Sequence, residues 1–221
     1  MMNRAWILLL MMAIAPMGCV GGKAIERSYF SLQYVLGEDD LAQGAPQLPF
    51  TIRVARFTAG LAYDRQEIVY RSNPHEFQYY WYKLWAAKPE KLAREQVVAH
   101  LAHSKLLEDV HGGVTDALPD YELRCHVNAL EELDSVEGRW FAHLDLSFTL
   151  IRVSDGTKVL ETRFDGKKEV FEKRPVFVVR ALSELLQEQS RALVGELARS
   201  LGKETRKHNS EEVTGDHADH P

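Results

Sequence analysis

Hydrophobic and polar positions alternate over three long stretches in the second half of the chain. Tyr121, Leu123, Cys125, Val127 and Ala129 share one parity. Trp140, Ala142, Leu144, Leu146, Phe148 and Leu150 form a second series, set against His143, Asp145, Ser147 and Thr149. Leu160, Thr162 and Phe164 form a third, after the turn dipeptide Asp155-Gly156. A period of two belongs to a strand with one buried face. These stretches therefore predict an antiparallel meander with one covered face, its first two strands joined across residues 134–138. From residue 175 to 201 the period changes: Leu182, Leu186, Leu193, Leu197 and Leu201 recur at helical spacing. That predicts a long helix covering the meander, with Gly202 as its C-terminal stop.

Upstream the patterns are shorter. Residues 29–36 read as a strand and 37–49 as a loop rich in Gly, Asp and Pro. Phe50, Ile52 and Val54 alternate with Thr51 and Arg53 in a half-buried strand. Residues 67–71 and 76–82 form a strand pair about Ser72-Asn73-Pro74. Lys88-Pro89-Glu90 opens a second helix, because Pro is tolerated in the first turn and Glu suits the positive end of the dipole. Its apolar face carries Ala93, Val97 and Leu101. Residues 106–110 read as a short strand closed by Gly112-Gly113. The expected fold class is α+β: a mostly antiparallel sheet with a long meander, packed by two main helices. Residues 28–201 form one domain, and residues 202–221 form a polar, aperiodic tail that reads as disordered.

The N-terminal segment follows a different logic. Arg4 precedes an unbroken apolar run over residues 5–15, too short to span a bilayer but suited to a secretory signal. It ends at Gly18-Cys19, which resembles the bacterial lipoprotein signal. Residues 1–18 would then be the signal peptide, Cys19 the acylated first residue and 19–27 a tether. The plainer alternative is an ordinary signal peptide with an incidental cysteine.

Composition narrows the rest. The 221 residues carry 27 Lys+Arg and 32 Asp+Glu, a net charge of -5. This mild acidity argues against a nucleic-acid binder. Two cysteines rule out a disulfide-stapled scaffold. No Gly-rich phosphate loop, nucleophile elbow or Cys-x-x-Cys pair is present. His100 and His103 lie three apart on the helix opened by Pro89 and read as exposed histidines rather than zinc ligands; His208, His217 and His220 fall in the tail. Cys125 has the apolar parity of a buried thiol. Glu131-Glu132 reads as a solvated strand end rather than a catalytic carboxylate pair. No metal or cofactor is expected.

The stretch from Phe77 to Trp85 places aromatics on both parities. Either it is a strand between two packed layers, or one face, Tyr80 with Tyr82 or Tyr79 with Trp81, meets a partner or lipid. One pair is expected to be core and the other partly open.

The run from Gly60-Leu61-Ala62-Tyr63-Asp64-Arg65 to Tyr70-Arg71, then Tyr79-Tyr80-Trp81-Tyr82 and Trp85-Ala86-Ala87-Lys88-Pro89, resembles the ABC-type transport auxiliary lipoprotein family, which includes PqiC-like lipoproteins of membrane-integrity transporters. Tyr29-Phe30-Ser31-Leu32 matches that family's early strand. The resemblance covers roughly residues 19–201. It implies a non-enzymatic subunit of an envelope lipid-transport system, palmitoylated at Cys19, held at the outer membrane and facing the periplasm. The implied partners are an MCE-domain protein and, through it, an ABC transporter or permease. Homo-oligomerisation is open, and Val20 after the cysteine is compatible with outer-membrane sorting. The competing reading is a structural lipoprotein of another envelope assembly.

Overall fold

A computed structural model describes residues 25–113, 118–134 and 138–215, with side chains to residue 206. The signal segment, Cys19, the first part of the tether and the tail histidines lie outside the described side chains. The strands are β1 (Ser28–Phe30), β2 (Leu48–Val54), β3 (Thr58–Ala59), β4 (Glu67–Asn73), β5 (Glu76–Trp85), β6 (Leu107–His111), β7 (Tyr121–Asp134), β8 (Trp140–Arg152) and β9 (Lys158–Val170). The helices are α1 (Pro89–His103) and α2 (Pro175–Gly215).

One strand organises the sheet. Along one edge β7 pairs antiparallel with β8 over its whole length, and β8 pairs antiparallel with β9. This is the expected meander. Along its other edge β7 takes three partners end to end, all parallel: β2 with Val54 beside Leu123, β3 with Ala59 beside Val127, and β4 with Val69 beside Glu131. Outside these, β6 runs parallel to β2, β5 antiparallel to β4, and the three-residue β1 parallel to β5. The sheet is therefore mixed, a correction to the mostly antiparallel expectation. Local hairpins give the antiparallel pairs, whereas the parallel ones join segments far apart in sequence. The strand expected over 29–36 is also shorter, since only Ser28–Phe30 has a ladder partner.

Both helices pack on one face. Leu144, Leu146, Phe148 and Leu150 of β8 and Leu123, Cys125 and Val127 of β7 are buried there, against Leu182, Leu186, Leu193, Leu197 and Leu201 of α2. Gly166 of β9 lets α2 come close: a Cβ there would stand 3.0 Å from Leu185 Cδ2 and 3.2 Å from Gln189 Nε2. Gln189 donates from that position to the Leu144 carbonyl at 2.9 Å. Arg94 of α1 donates to the Val54 and Ala55 carbonyls, both at 2.7 Å, and to the Gly112 carbonyl. It thereby supplies donors where β2 leaves the edge of β7.

Two local expectations fail. The apolar parity of β7 breaks at Asn128, where the register with β8 shifts between Val127 and Ala129. A bulge of this kind turns the following side chains to the other face, so Ala129 packs with Tyr63 and Val69 and away from the helices. Nor does α2 stop at Gly202; it runs to Gly215. Gly202 is not among the glycines in the left-handed region, and Glu204, two residues on, pairs with Arg152 of β8.

Replacing Gly166 by Val crowds Leu185 and pushes Gln189 off the Leu144 carbonyl. We expect a loss of about 1–3 kcal/mol, as for other overpacked core sites, read by urea unfolding. An unchanged midpoint would mean that the helix does not depend on this close approach.

Candidate functional site

The face of the sheet opposite the helices carries a buried polar network. Val69, Ala129, Glu131, His143 and Asp145 point there by strand parity. The segment of residues 60–66 folds over them, with Tyr63 N and Asp64 N both donating to the Gly60 carbonyl. Glu131 has no exposed side-chain surface. Its Oε2 accepts from Tyr63 Oη at 2.8 Å and Arg71 Nε at 2.7 Å, and its Oε1 from Arg71 Nη2. His143 Nδ1 lies 2.8 Å from Glu131 Oε1, and its Nε2 lies 2.9 Å from Asp165 Oδ1. Only an imidazolium donates to both carboxylates. Burial pushes the Glu131 pKa up, but the hydrogen bonds from His143, Arg71 and Tyr63 outweigh it and hold the carboxyl below its ordinary range. Burial, then the Glu131 carboxylate, push the Tyr63 phenol far up. Beside this network Asp145 accepts from Arg163 Nε at 2.9 Å and from the bulge residue Asn128 at 3.0 Å.

Glu132, the next residue, faces the opposite way. It is 1% exposed, accepts a hydrogen bond from Tyr80 Oη at 3.0 Å through Oε1, and has no partner at Oε2. Burial pushes its pKa up to about 7; Asp134 adds to this, while the Tyr80 hydrogen bond and Lys83 oppose it. The Glu131-Glu132 pair is therefore not a solvated strand end. It is two buried carboxyls on opposite faces, one held ionised by three partners and one near neutrality. Side-chain alternation alone prevents both from acting on one substrate.

Other candidates fall into structural places. Cys125 is a free, buried thiol whose pKa burial raises well above its ordinary value, so it is not a thiolate nucleophile. His100 is fully buried, contrary to the expected exposure, 3.2 Å from Tyr34 Oη and 3.8 Å from Asp40. Asp40 in turn accepts from Gln187 and Arg191 of α2, both at 2.8 Å, which fastens the 34–40 segment to that helix. His103 Nε2 lies 3.0 Å from the Gly37 carbonyl. Among the described residues no group of three or more His, Cys, Asp or Glu stands ready to hold a metal ion.

The aromatic strand β5 does not divide into a core pair and an open pair. Tyr79 and Tyr80 are half-buried; Trp81 is 82% and Tyr82 43% exposed. Exposure thus changes along the strand instead of between its faces. The cause is a distortion: between the pairs Val69–Tyr79 and Glu67–Leu84, β5 has three more residues than β4. Arg65 stacks on the Tyr79 ring at 3.7 Å and Tyr80 is tied to Glu132, whereas Trp81 and Tyr82 lie on the excess segment.

The sequence reading missed Tyr63, Arg71, His143 and Glu131 as one unit. The signal was present in the family-like block, since Tyr63 and Arg71 end on the same carboxylate, Arg65 stacks on Tyr79, and Asp64 pairs with Lys88 at 2.5 Å.

The raised pKa of Glu132 fixes a pH dependence. The group is protonated in the fold up to about pH 7 and ionises near 4.5 when unfolded. Its contribution is therefore fully present below about pH 4.5 and is lost as pH rises through 7, a loss of about 3 kcal/mol. Glu132→Gln keeps an acceptor for Tyr80 without the charge. It should match wild type in acid, remove this slope and be the more stable protein at about pH 8, as measured by urea unfolding. Equal slopes in the two proteins would mean that Glu132 is ionised in the fold.

Comparison with known proteins agrees with this architecture. The crystal structure of protein XCC0632 from Xanthomonas campestris, a DUF330 protein, superposes with a TM-score of 0.72 at 21% identity, covering 81% of this chain and 99% of that one. A crystal structure of an uncharacterised protein gives a TM-score of 0.59 at 14% identity, covering 78% and 99%. At these identities the likeness is one of fold. Among curated proteins there is no significant match. The family model described as the ABC-type transport auxiliary lipoprotein component matches residues 31–194, the segment that holds the meander, the Glu131 network and most of the packed length of α2. The chain belongs to the ABC-type transport auxiliary lipoprotein family.

Proposed function

We propose that this protein is a non-catalytic, lipid-anchored subunit of an ABC/MCE-type envelope lipid-transport system. In this reading it is held at the outer membrane through Cys19, faces the periplasm and docks the periplasm-spanning MCE-domain component. The family match over residues 31–194 carries the reading. The position of Cys19 shortly before that segment, after an apolar signal, supports the anchor.

The chemistry of the body supports a non-catalytic role. Glu131 is saturated by three partners, both ring nitrogens of His143 face carboxylates, and Cys125 is buried as a thiol. A general base or nucleophile needs a free lone pair that substrate can reach, and these groups do not offer one. Among the described residues no helix is long and apolar enough to cross a membrane, so membrane attachment in this reading rests on the acyl group.

Two measurements test the proposal. Radiolabelled palmitate should enter the intact protein and be absent from Cys19→Ser. Equal label in both, or a mature N-terminus elsewhere, contradicts the anchor. Affinity capture from detergent-solubilised envelopes should bring down an MCE-domain protein together with a permease or ATPase. Capture of other envelope proteins without these would favour a structural lipoprotein of a different assembly.

A further inference from the structure

Exposed apolar and aromatic side chains gather at one edge of the sheet. Trp81 and Tyr82 stand on the excess segment of β5, Tyr29 on β1 and Ile25 on the stretch that leads into β1. The pairing of Ser28 with Lys83 and Tyr29 with Leu84 brings that stretch alongside the excess segment. Ile25, Glu26 and Ser28 line a hollow of about 340 Å³ together with Tyr79, Trp81 and Tyr82. Tyr79 and Tyr80 already have structural partners, in Arg65 and Glu132. Trp81 is more than four-fifths exposed.

The course of the chain says what faces this edge. Ile25 is six residues from Cys19, at most about 20 Å of extended chain. An acyl anchor at Cys19 therefore holds the Trp81 edge close to the bilayer. Trp and Tyr suit the headgroup level, where the ring has an apolar body and the N–H or O–H stays wet. The nearby charge fits as well. Lys23 and Arg27 flank Ile25 in the sequence, and Glu26 is the one acidic residue between Cys19 and β1. Basic residues beside an anchor favour an anionic lipid surface.

We propose that Trp81 and Tyr82, with Ile25 and Tyr29, form a lipid-contacting seat that rests at the headgroup level of the membrane holding the acyl anchor. The seat rests on the lipid-anchored reading above and goes beyond it: the acyl chain tethers the body, and the aromatic segment fixes which edge of the sheet meets the lipid. The opposite face and the far end of the molecule are then turned toward the periplasm.

The test uses the full chain, purified from membranes with its anchor and reconstituted in vesicles of phosphatidylethanolamine and phosphatidylglycerol. The lipids carry bromine on the acyl chains near the headgroup. Trp6 leaves with the signal segment, Trp85 is buried and Trp140 is half-buried, so Trp81 is the exposed reporter. Emission should be quenched relative to unbrominated vesicles. Trp81→Phe should lose most of that quenching, Trp140→Phe should keep it, and both should melt like wild type. Equal quenching in wild type and Trp81→Phe, or no quenching in a palmitate-labelled chain, overturns the seat and leaves the anchor standing. Loss of MCE-protein capture in Trp81→Phe without lipid quenching assigns the patch to a protein partner and overturns the seat as well. A chain that takes no label at Cys19 removes the anchor, and the seat with it.

Discussion

A carboxylate charge lies inside the sheet, and the architecture of one face follows from it. Leaving the Glu131 charge buried without a partner costs several kcal/mol, so every segment that supplies a donor is committed to its place. Tyr63 brings down the segment of residues 60–66, Arg71 fixes β4 beside β7, and His143 links β8 to Asp165 on β9. Elements distant in sequence thus converge on one charge. Hydrophobic burial on the helix side drives collapse but is non-directional. The network around Glu131 demands particular donors at particular angles, so it selects the register in which β4 lies along β7.

The same arrangement places the outer edge of the sheet. β7 is long enough to hold β2, β3 and β4 in succession, which leaves β5 and the short β1 outside β4. Tyr79 and Tyr80 have inward partners in Arg65 and Glu132, whereas Trp81 and Tyr82, on the excess segment, are exposed. The most aromatic exposed strand, β5, therefore lies beside β1, the first strand of the chain. That coincidence connects a folding constraint to the way a lipid-anchored body can sit on its membrane.

Some of this was legible in the sequence and some was not. The meander of β7, β8 and β9 and the leucine face of α2 follow from periods of two and 3.6, which are local properties. The parallel run of β2, β3 and β4 along β7 is set by contacts between distant segments, which no local period encodes. The alternation misled at Ala129, because one extra residue at Asn128 inverts the parity. His100 reads as exposed by residue type, but its burial is arranged by Tyr34 and by Asp40, which ends a single 3-10 turn, both distant in sequence. Gly202 signalled a helix end that the Glu204–Arg152 pair and the continuing helix override. Glu131-Glu132 reads as exposed by residue type, since the partners that make its burial tolerable lie on other strands. The aromatic run was conspicuous in the sequence, but the distortion that splits it lengthwise shows only in the register of β5 with β4.

Arg71 and His143 hold one shared buried charge, the Glu131 carboxylate. A double-mutant cycle tests it directly: Arg71→Met and His143→Gln, singly and together in the full chain, measured by urea unfolding at neutral pH. Strong non-additivity is expected, with a coupling of about 1–3 kcal/mol, because the second substitution acts on a carboxylate already deprived of a partner. Additive losses, within about 0.5 kcal/mol, would contradict it, since each side chain would then act alone and Glu131 would not be the point on which this face of the sheet is built.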